Sequence, residues 1–174
     1  IMELARNILG RFEQVTVAPE QTTAERVEQA VFMVSKRNKR KLLVHLLKTE
    51  EIESLLVFSR TKYGADNIVR MLRRANIPAR AIHGNKSQQD RQKTLRSFKR
   101  GDTKVLVATD IAARGIDVSE LSHVINYDLP NVPETYVHRI GRTGRARASG
   151  VAWSFCMGDE RPYLADIQKL IRQE

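Results

Sequence analysis

The chain has 174 residues, 41% of them hydrophobic, and 30 basic against 20 acidic side chains leave a net charge of +10. That length suits one domain with a proper core. No apolar run approaches membrane-spanning length, no signal peptide is visible, and the lone Cys156 rules out an internal disulfide and a cysteine-based zinc site.

In chain order, residues 2–9 read as a short amphipathic helix stopped by Gly10, a plausible C-cap. Residues 12–17 alternate, and residues 19–23 are polar and turn-rich without apolar period, which reads as a linker. Residues 27–34 form the next strand, and residues 39–47 start a helix. The run Leu55-Leu56-Val57-Phe58 is short, apolar and bounded by polar residues, as a buried parallel strand is. A helix over 62–75, apolar at Ile68, Met71 and Leu72, leads to a strand over 79–82. Ser87 can cap a further helix, with Asp90 three residues on as an acidic variant of the capping box, and that helix ends near Gly101. Strands over 104–108 and 124–127 follow, then a helix over 132–140 broken by a glycine-arginine loop. A strand over 151–157 closes the sheet, with Cys156 as a buried thiol suited to a reducing, cytoplasmic setting, and residues 161–172 form the last helix.

Strands alternating with helices of ten to fifteen residues imply βαβ units, a parallel sheet and helices on both faces. Ligands on such sheets bind at the carboxyl ends of the strands. The loops after Phe58, Ile82, Ala108 and Tyr127 should therefore share one edge. No repeat or low-complexity tract occurs, and the four scattered histidines show no i, i+4 pair that would suggest a metal.

Chemistry concentrates in four segments. His138-Arg139-Ile140-Gly141-Arg142-Thr143-Gly144-Arg145 sets three arginines and a histidine on a segment loosened by two glycines, suited to grip phosphate oxygens. Thr109 and Asp110 end a central strand, and Arg114, Gly115 and Asp117 follow a tight turn. A hydroxyl at a strand end suits phosphate, and a carboxylate such as Asp117 suits ribose hydroxyls; Asp110 reads equally as a helix cap. Ser59, Arg60 and Thr61 end another strand with two hydroxyls and a guanidinium, able to meet phosphate or to cap a helix. Gly84 allows close backbone approach, and Gln88 and Arg91, three apart, share a helix face near its anion-favouring N-terminus. The +10 charge alone fits a solvated surface as well as a polyanion partner; these segments tip it towards nucleic acid. No Gly-x-x-x-x-Gly-Lys phosphate loop and no Asp-Glu-Ala-Asp box occurs in the sequence.

The first two segments and the spacing between them resemble the last two motifs of the DEAD-box RNA helicases. The other two resemble that family's fourth motif and its Gln-x-x-Arg motif. The histidine opening with Ile140 and Thr143 separates it from other helicase groups, and residues 41–47 look similar to bacterial RhlE-type members. The resemblance covers nearly the whole chain and implies a RecA-like α/β domain at 21–174, with 1–20 the end of a preceding domain plus linker. It implies Arg142 and Arg145 against the γ-phosphate of ATP, His138 linking the RNA and ATP sites, and Arg139 doing structural work. Asp117 with Gly115 would face the nucleotide. Ser59, Arg60, Gly84, Gln88, Arg91, Thr109 and Asp110 would serve RNA.

Such a chain would be the C-terminal half of an ATP-dependent RNA helicase. It would close over nucleotide and single-stranded RNA with an N-terminal RecA-like domain that holds Mg2+, and would be inactive alone. It would contact RNA through its backbone with little sequence preference, sit off the membrane, and could meet other RNA-processing proteins. The missing initiator methionine fits a piece of a longer protein. The rival readings are a stand-alone RNA-binding or annealing module, favoured by tight ATP-independent RNA binding, and an interaction domain that lost its chemistry, which intact Arg142, Arg145 and Asp117 oppose.

Overall fold

The computed structural model describes residues 27–144 and 150–172. The expected helix at 2–9, the run at 12–17, the linker at 19–23 and Arg145 lie outside these. The elements are β1 (Val27–Met33), α1 (Lys36–Thr49), β2 (Leu55–Phe58), α2 (Lys62–Arg74), β3 (Ala79–Ile82), α3 (Gln88–Lys99), β4 (Val105–Ala108), α4 (Asp110–Arg114), β5 (His123–Asn126), α5 (Pro133–Ile140), β6 (Gly150–Cys156) and α6 (Arg161–Ile171). A 3₁₀ turn, Gly158–Glu160, precedes α6.

The six strands are all parallel, in the order β1-β6-β5-β2-β4-β3. Leu55–Phe58 and Val105–Ala108 are buried at every position because helices cover both faces of the central strands. On one face α1 and α2 bring Leu43, Ile68 and Leu72 against Val57, Val107 and Ile125. On the other, Phe98 of α3 and Ala113 of α4 pack on Leu56, Phe58 and Leu106. Tyr136 and Ile140 of α5 and Ile167 of α6 cover Val27, Ala152 and Cys156 on that same side. At the outer strand β1 the cover thins, and Val31 and Met33 are exposed.

The register aligns the site. Ile82, Ala108, Phe58 and Asn126 stand level across four neighbouring strands. The loops that follow them therefore leave from one edge, as the alternating pattern predicts. Two local features differ from the sequence reading. Residues after Thr109 form the short helix α4 rather than a tight turn. The helix expected from residue 39 begins at Lys36, one turn earlier. Gly150 opens β6 where a Cβ would overlap the Thr143 hydroxyl and the Gly144 amide, so the start of the last strand packs directly on the glycine-arginine loop.

Candidate nucleotide and RNA interface

After β2, Asp128 organises the strand end. The amide of Arg60 donates to its Oδ2 at 2.9 Å and the Ser59 hydroxyl reaches the same oxygen at 3.5 Å. Thr61 caps α2, its Oγ1 accepting from the Gly64 amide at 2.9 Å. A Cβ on Gly64 would stand 2.6 Å from Ser59 Oγ, so only glycine fits beneath this cap. Arg60 turns sideways: Nη2 donates to the Leu129 carbonyl and to Glu160 Oε1, both at 3.0 Å, and the guanidinium lies over the Tyr163 ring. Ser59 is buried and Arg60 half exposed. The cap reading thus falls to Thr61, and Ser59 and Arg60 sit at the edge in a network with Asp128.

After β3, His83 is buried with Nε2 3.0 Å from Asp66 Oδ2, while Gly84 and Gln88 are exposed. Ser87 caps α3: its Oγ accepts from the Asp90 amide at 3.1 Å and donates to the Asp90 carboxylate at 2.7 Å. Arg91 reaches across to the next segment, with Nη2 3.6 Å from where a Cβ on Gly115 would stand. Its Nε is buried and has no acceptor among the described residues.

After β4, Thr109 is buried at the N-cap of α4 and makes no side-chain capping bond. Asp110 opens α4, but its carboxylate is held by Arg139, whose Nε and Nη2 donate to its two oxygens at 2.7 and 2.8 Å. Arg139 Nη1 donates to Asn126 Oδ1 at 3.0 Å and the Asp128 carbonyl at 2.7 Å, and the guanidinium stacks 4.9 Å from the Phe58 ring centre. A buried guanidinium thus joins the ends of β4, β5 and α5. Asp110 is its counter-ion and one third exposed.

Arg142 follows α5. Its Nη2 donates to the Ala113 carbonyl at 2.9 Å and its Nη1 to those of Ile116 and Val118 at 3.1 and 3.3 Å. These tie the glycine-arginine loop to the segment that carries Gly115 and Asp117. Thr143 extends the tie, its hydroxyl donating to the Leu121 carbonyl. Asp117 projects into solvent and accepts from Lys99 Nζ at 2.9 Å; that hydrogen bond and the lysine's charge hold its carboxyl below the usual aspartate range. His138 is exposed at the end of α5 and shares one shallow depression with Asp110, Arg114 and Arg142.

Sequence reasoning missed the buried network behind this edge. Lys39 Nζ donates to the Tyr127 carbonyl at 2.7 Å and to Glu160 Oε2 at 3.0 Å. Glu160 also accepts from the amides of Leu129 and Met157 at 3.2 and 3.1 Å. Both side chains are almost fully buried. Lys39 sits in a largely basic run, 36–41. The signal was its spacing with Leu43 and Leu46, which places all three on the buried side of α1.

An open parallel sheet with helices on both faces and its polar segments gathered at one carboxyl edge is a RecA-like domain. Residues 38–147 match the helicase conserved C-terminal domain. The C-terminal domain of the DEAD-box protein Dbp5 superposes with a TM-score of 0.78 at 34% identity, covering 84% of this chain and 86% of that one. A DEAD box protein from the hyperthermophile Methanococcus jannaschii gives 0.81 at 38% identity, over 99% of this chain and 46% of that one. In sequence, the ATP-dependent RNA helicase dbp2 of Aspergillus clavatus is 43% identical over 177 residues, covering 99% of this chain and 32% of its own length. The ATP-dependent RNA helicase DbpA of Bacillus subtilis is 43% identical over 171 residues, covering 98% of this chain and 36% of its own. The chain belongs to the DEAD-box family as a helicase C-terminal domain, and spans about a third of the length of these curated relatives.

Proposed function

We propose that this domain works as the C-terminal half of an ATP-dependent RNA helicase of the bacterial RhlE type, closing with an N-terminal RecA-like domain over ATP and a single strand of RNA. The observation that carries the reading is the tie between Arg142 and the Ala113–Val118 backbone, which sets a guanidinium and the Asp117 carboxylate on one edge. The donor set fits a nucleoside triphosphate: Asp117 is charged and 91% exposed, open to ribose hydroxyls, and Arg142, tied to three backbone carbonyls beside it, would meet phosphate by exchanging some of those bonds. ATP, when bound, supplies the phosphoryl group whose charge Arg142 and Arg145 would meet. Magnesium belongs, in this reading, to the N-terminal domain.

RNA would pass along the loops after β2, β3 and β4. Arg91 supports this, since its buried Nε lacks an acceptor that a phosphate oxygen would provide. Exposed Gly84 and Gln88 and the Thr109 hydroxyl, which makes no capping bond, lie along the same edge. Asp110 acts by fixing Arg139, and Ser59 and Arg60 act with Asp128 as the floor of the strand end. Contacts of this kind carry little base information.

The test compares ATP hydrolysis by the chain alone with that by the protein carrying both domains, with and without RNA. The expected result is RNA-stimulated turnover only with both domains, because positioning and metal charge supply nearly all of this catalysis. Turnover by the chain alone at the rate of the two-domain protein would overturn the half-enzyme reading.

A further inference from the structure

A second basic surface lies away from these segments, along the free edge of the sheet. A groove of about 630 Å3 is lined by Arg73, Arg80, Lys93, Arg96 and Arg100. An adjoining groove of about 570 Å3 shares Arg73, Arg80 and Lys93, includes the carboxylates Asp66 and Asp90, and runs up to Lys86, beside the loop that holds Gly84. The sequence spacing builds it. Lys93, Arg96 and Arg100 fall on one face of α3, and Arg70 and Arg73 on one face of α2. Arg80 stands exposed between them on β3, the outer strand.

Most of this charge has no counter-ion. Among the described residues Arg73, Arg80, Lys93 and Arg96 form no ion pair. Arg100 pairs with Asp102 at 3.0 Å, but both are exposed and such a pair is weak. Protection of the β3 edge explains part of the pattern. Arg73 Nε donates to the Ala79 carbonyl at 3.1 Å, and charged side chains on an outer strand block pairing with another chain. Lys93 and Arg96, on a helix, add nothing to that protection and keep like charges together at an electrostatic cost.

The geometry points to a second RNA-backbone site in which Arg80, Lys93 and Arg96 take phosphates of the strand that continues past Gly84. The inference rests on the RNA reading above and extends it. Lys93 and Arg100 are separated by about 10 Å along the helix, enough for two or three phosphates. Arg91 faces Gly115 on another side of α3, so the two sites hold different stretches of one strand.

The test uses two single-stranded RNAs, one of about six nucleotides that spans only the motif loops and one of about eighteen, titrated against the chain at two salt concentrations. In Arg80→Glu/Arg96→Glu, the long RNA should bind about tenfold more weakly and with a smaller salt slope, while the short RNA binds as before. In Arg91→Ala, both RNAs should weaken. Arg80→Gln/Lys93→Gln, which adds no repulsion, should weaken only the long RNA, and thermal melts on each variant show that the fold is kept. Unchanged affinity and salt slope for the long RNA in the charge-reversal variant would overturn the second site while leaving the motif reading intact. Polyglutamate that occupies the groove without weakening the long RNA would assign the surface to an acidic protein and overturn it too. Failure of both RNAs to bind the wild type would sink both readings.

Discussion

Arg139 holds Asp110 by two parallel hydrogen bonds of 2.7 and 2.8 Å, a paired geometry that only a guanidinium can present to a carboxylate. Arg139 is 2% exposed and its remaining nitrogen links Asn126 to the Asp128 carbonyl. This one side chain ties the ends of β4 and β5 to α5.

Arg139→Ala should therefore cost about 3 kcal/mol or more, because it strands a partly buried carboxylate and two further acceptors. Arg139→Lys keeps the charge but loses the fork and should recover only part of that. Urea unfolding with midpoints and slopes for both variants measures it. Equal stability of Arg139→Ala and wild type would mean the side chain holds nothing together.

Glu160 accepts from Lys39, Arg60 and two backbone amides while 1% exposed. Glu160→Gln should destabilise by about 3 kcal/mol, since it leaves the buried Lys39 ammonium without its counter-charge. Calorimetry on Glu160→Gln, Lys39→Met and the double variant gives the coupling. Strict additivity of the two single changes would contradict the network.

The Asp117 carboxyl titrates below the usual aspartate range because Lys99 donates to it and sits beside it as a charge. A depressed folded value means the contribution is present above the unfolded carboxylate value and is lost as pH falls through the folded one. The Lys99–Asp117 bond should thus persist at neutral pH and open only in acid. In Lys99→Ala the Asp117 value should rise towards that of a free aspartate, read by NMR titration of its carboxyl carbon. An unmoved titration would remove Lys99 as the cause.

Arg142→Lys, tested in the two-domain protein, should lower kcat far more than it weakens ATP binding, if the guanidinium meets phosphate mainly in the transition state. Arginine fingers contribute about 10³–10⁵ in rate in well-studied cases, and the lower end or less is expected here because Arg145 remains. Three carbonyls of the Ala113–Val118 segment accept from Arg142, so the variant should stay folded but lose about 1 kcal/mol of stability. Turnover and melting must be measured on the same protein. A variant that hydrolyses ATP normally with RNA would take Arg142 out of the catalytic edge.

The sequence by itself determined the layers and the edge. Runs such as Leu55–Phe58 and Val105–Ala108 are apolar throughout because both faces are covered, and the helical periods between them leave no other fold class. The candidate segments stood out for the same local reason: glycine, arginine and hydroxyl residues fell at strand ends, where a parallel sheet gathers its ligands. Tertiary structure alone decided what each polar side chain does there. The family resemblance gave Arg139 structural work, but local pattern could not name the partners: Arg60 joins a buried glutamate, Arg139 clamps an aspartate under Phe58, and Arg142 binds backbone carbonyls of the facing loop. Lys39, in a basic run at the start of a helix, is buried. A guanidinium or ammonium takes the nearest acceptors that burial leaves unpaired, and those come from residues up to 121 positions away, a distance over which local pattern carries no information.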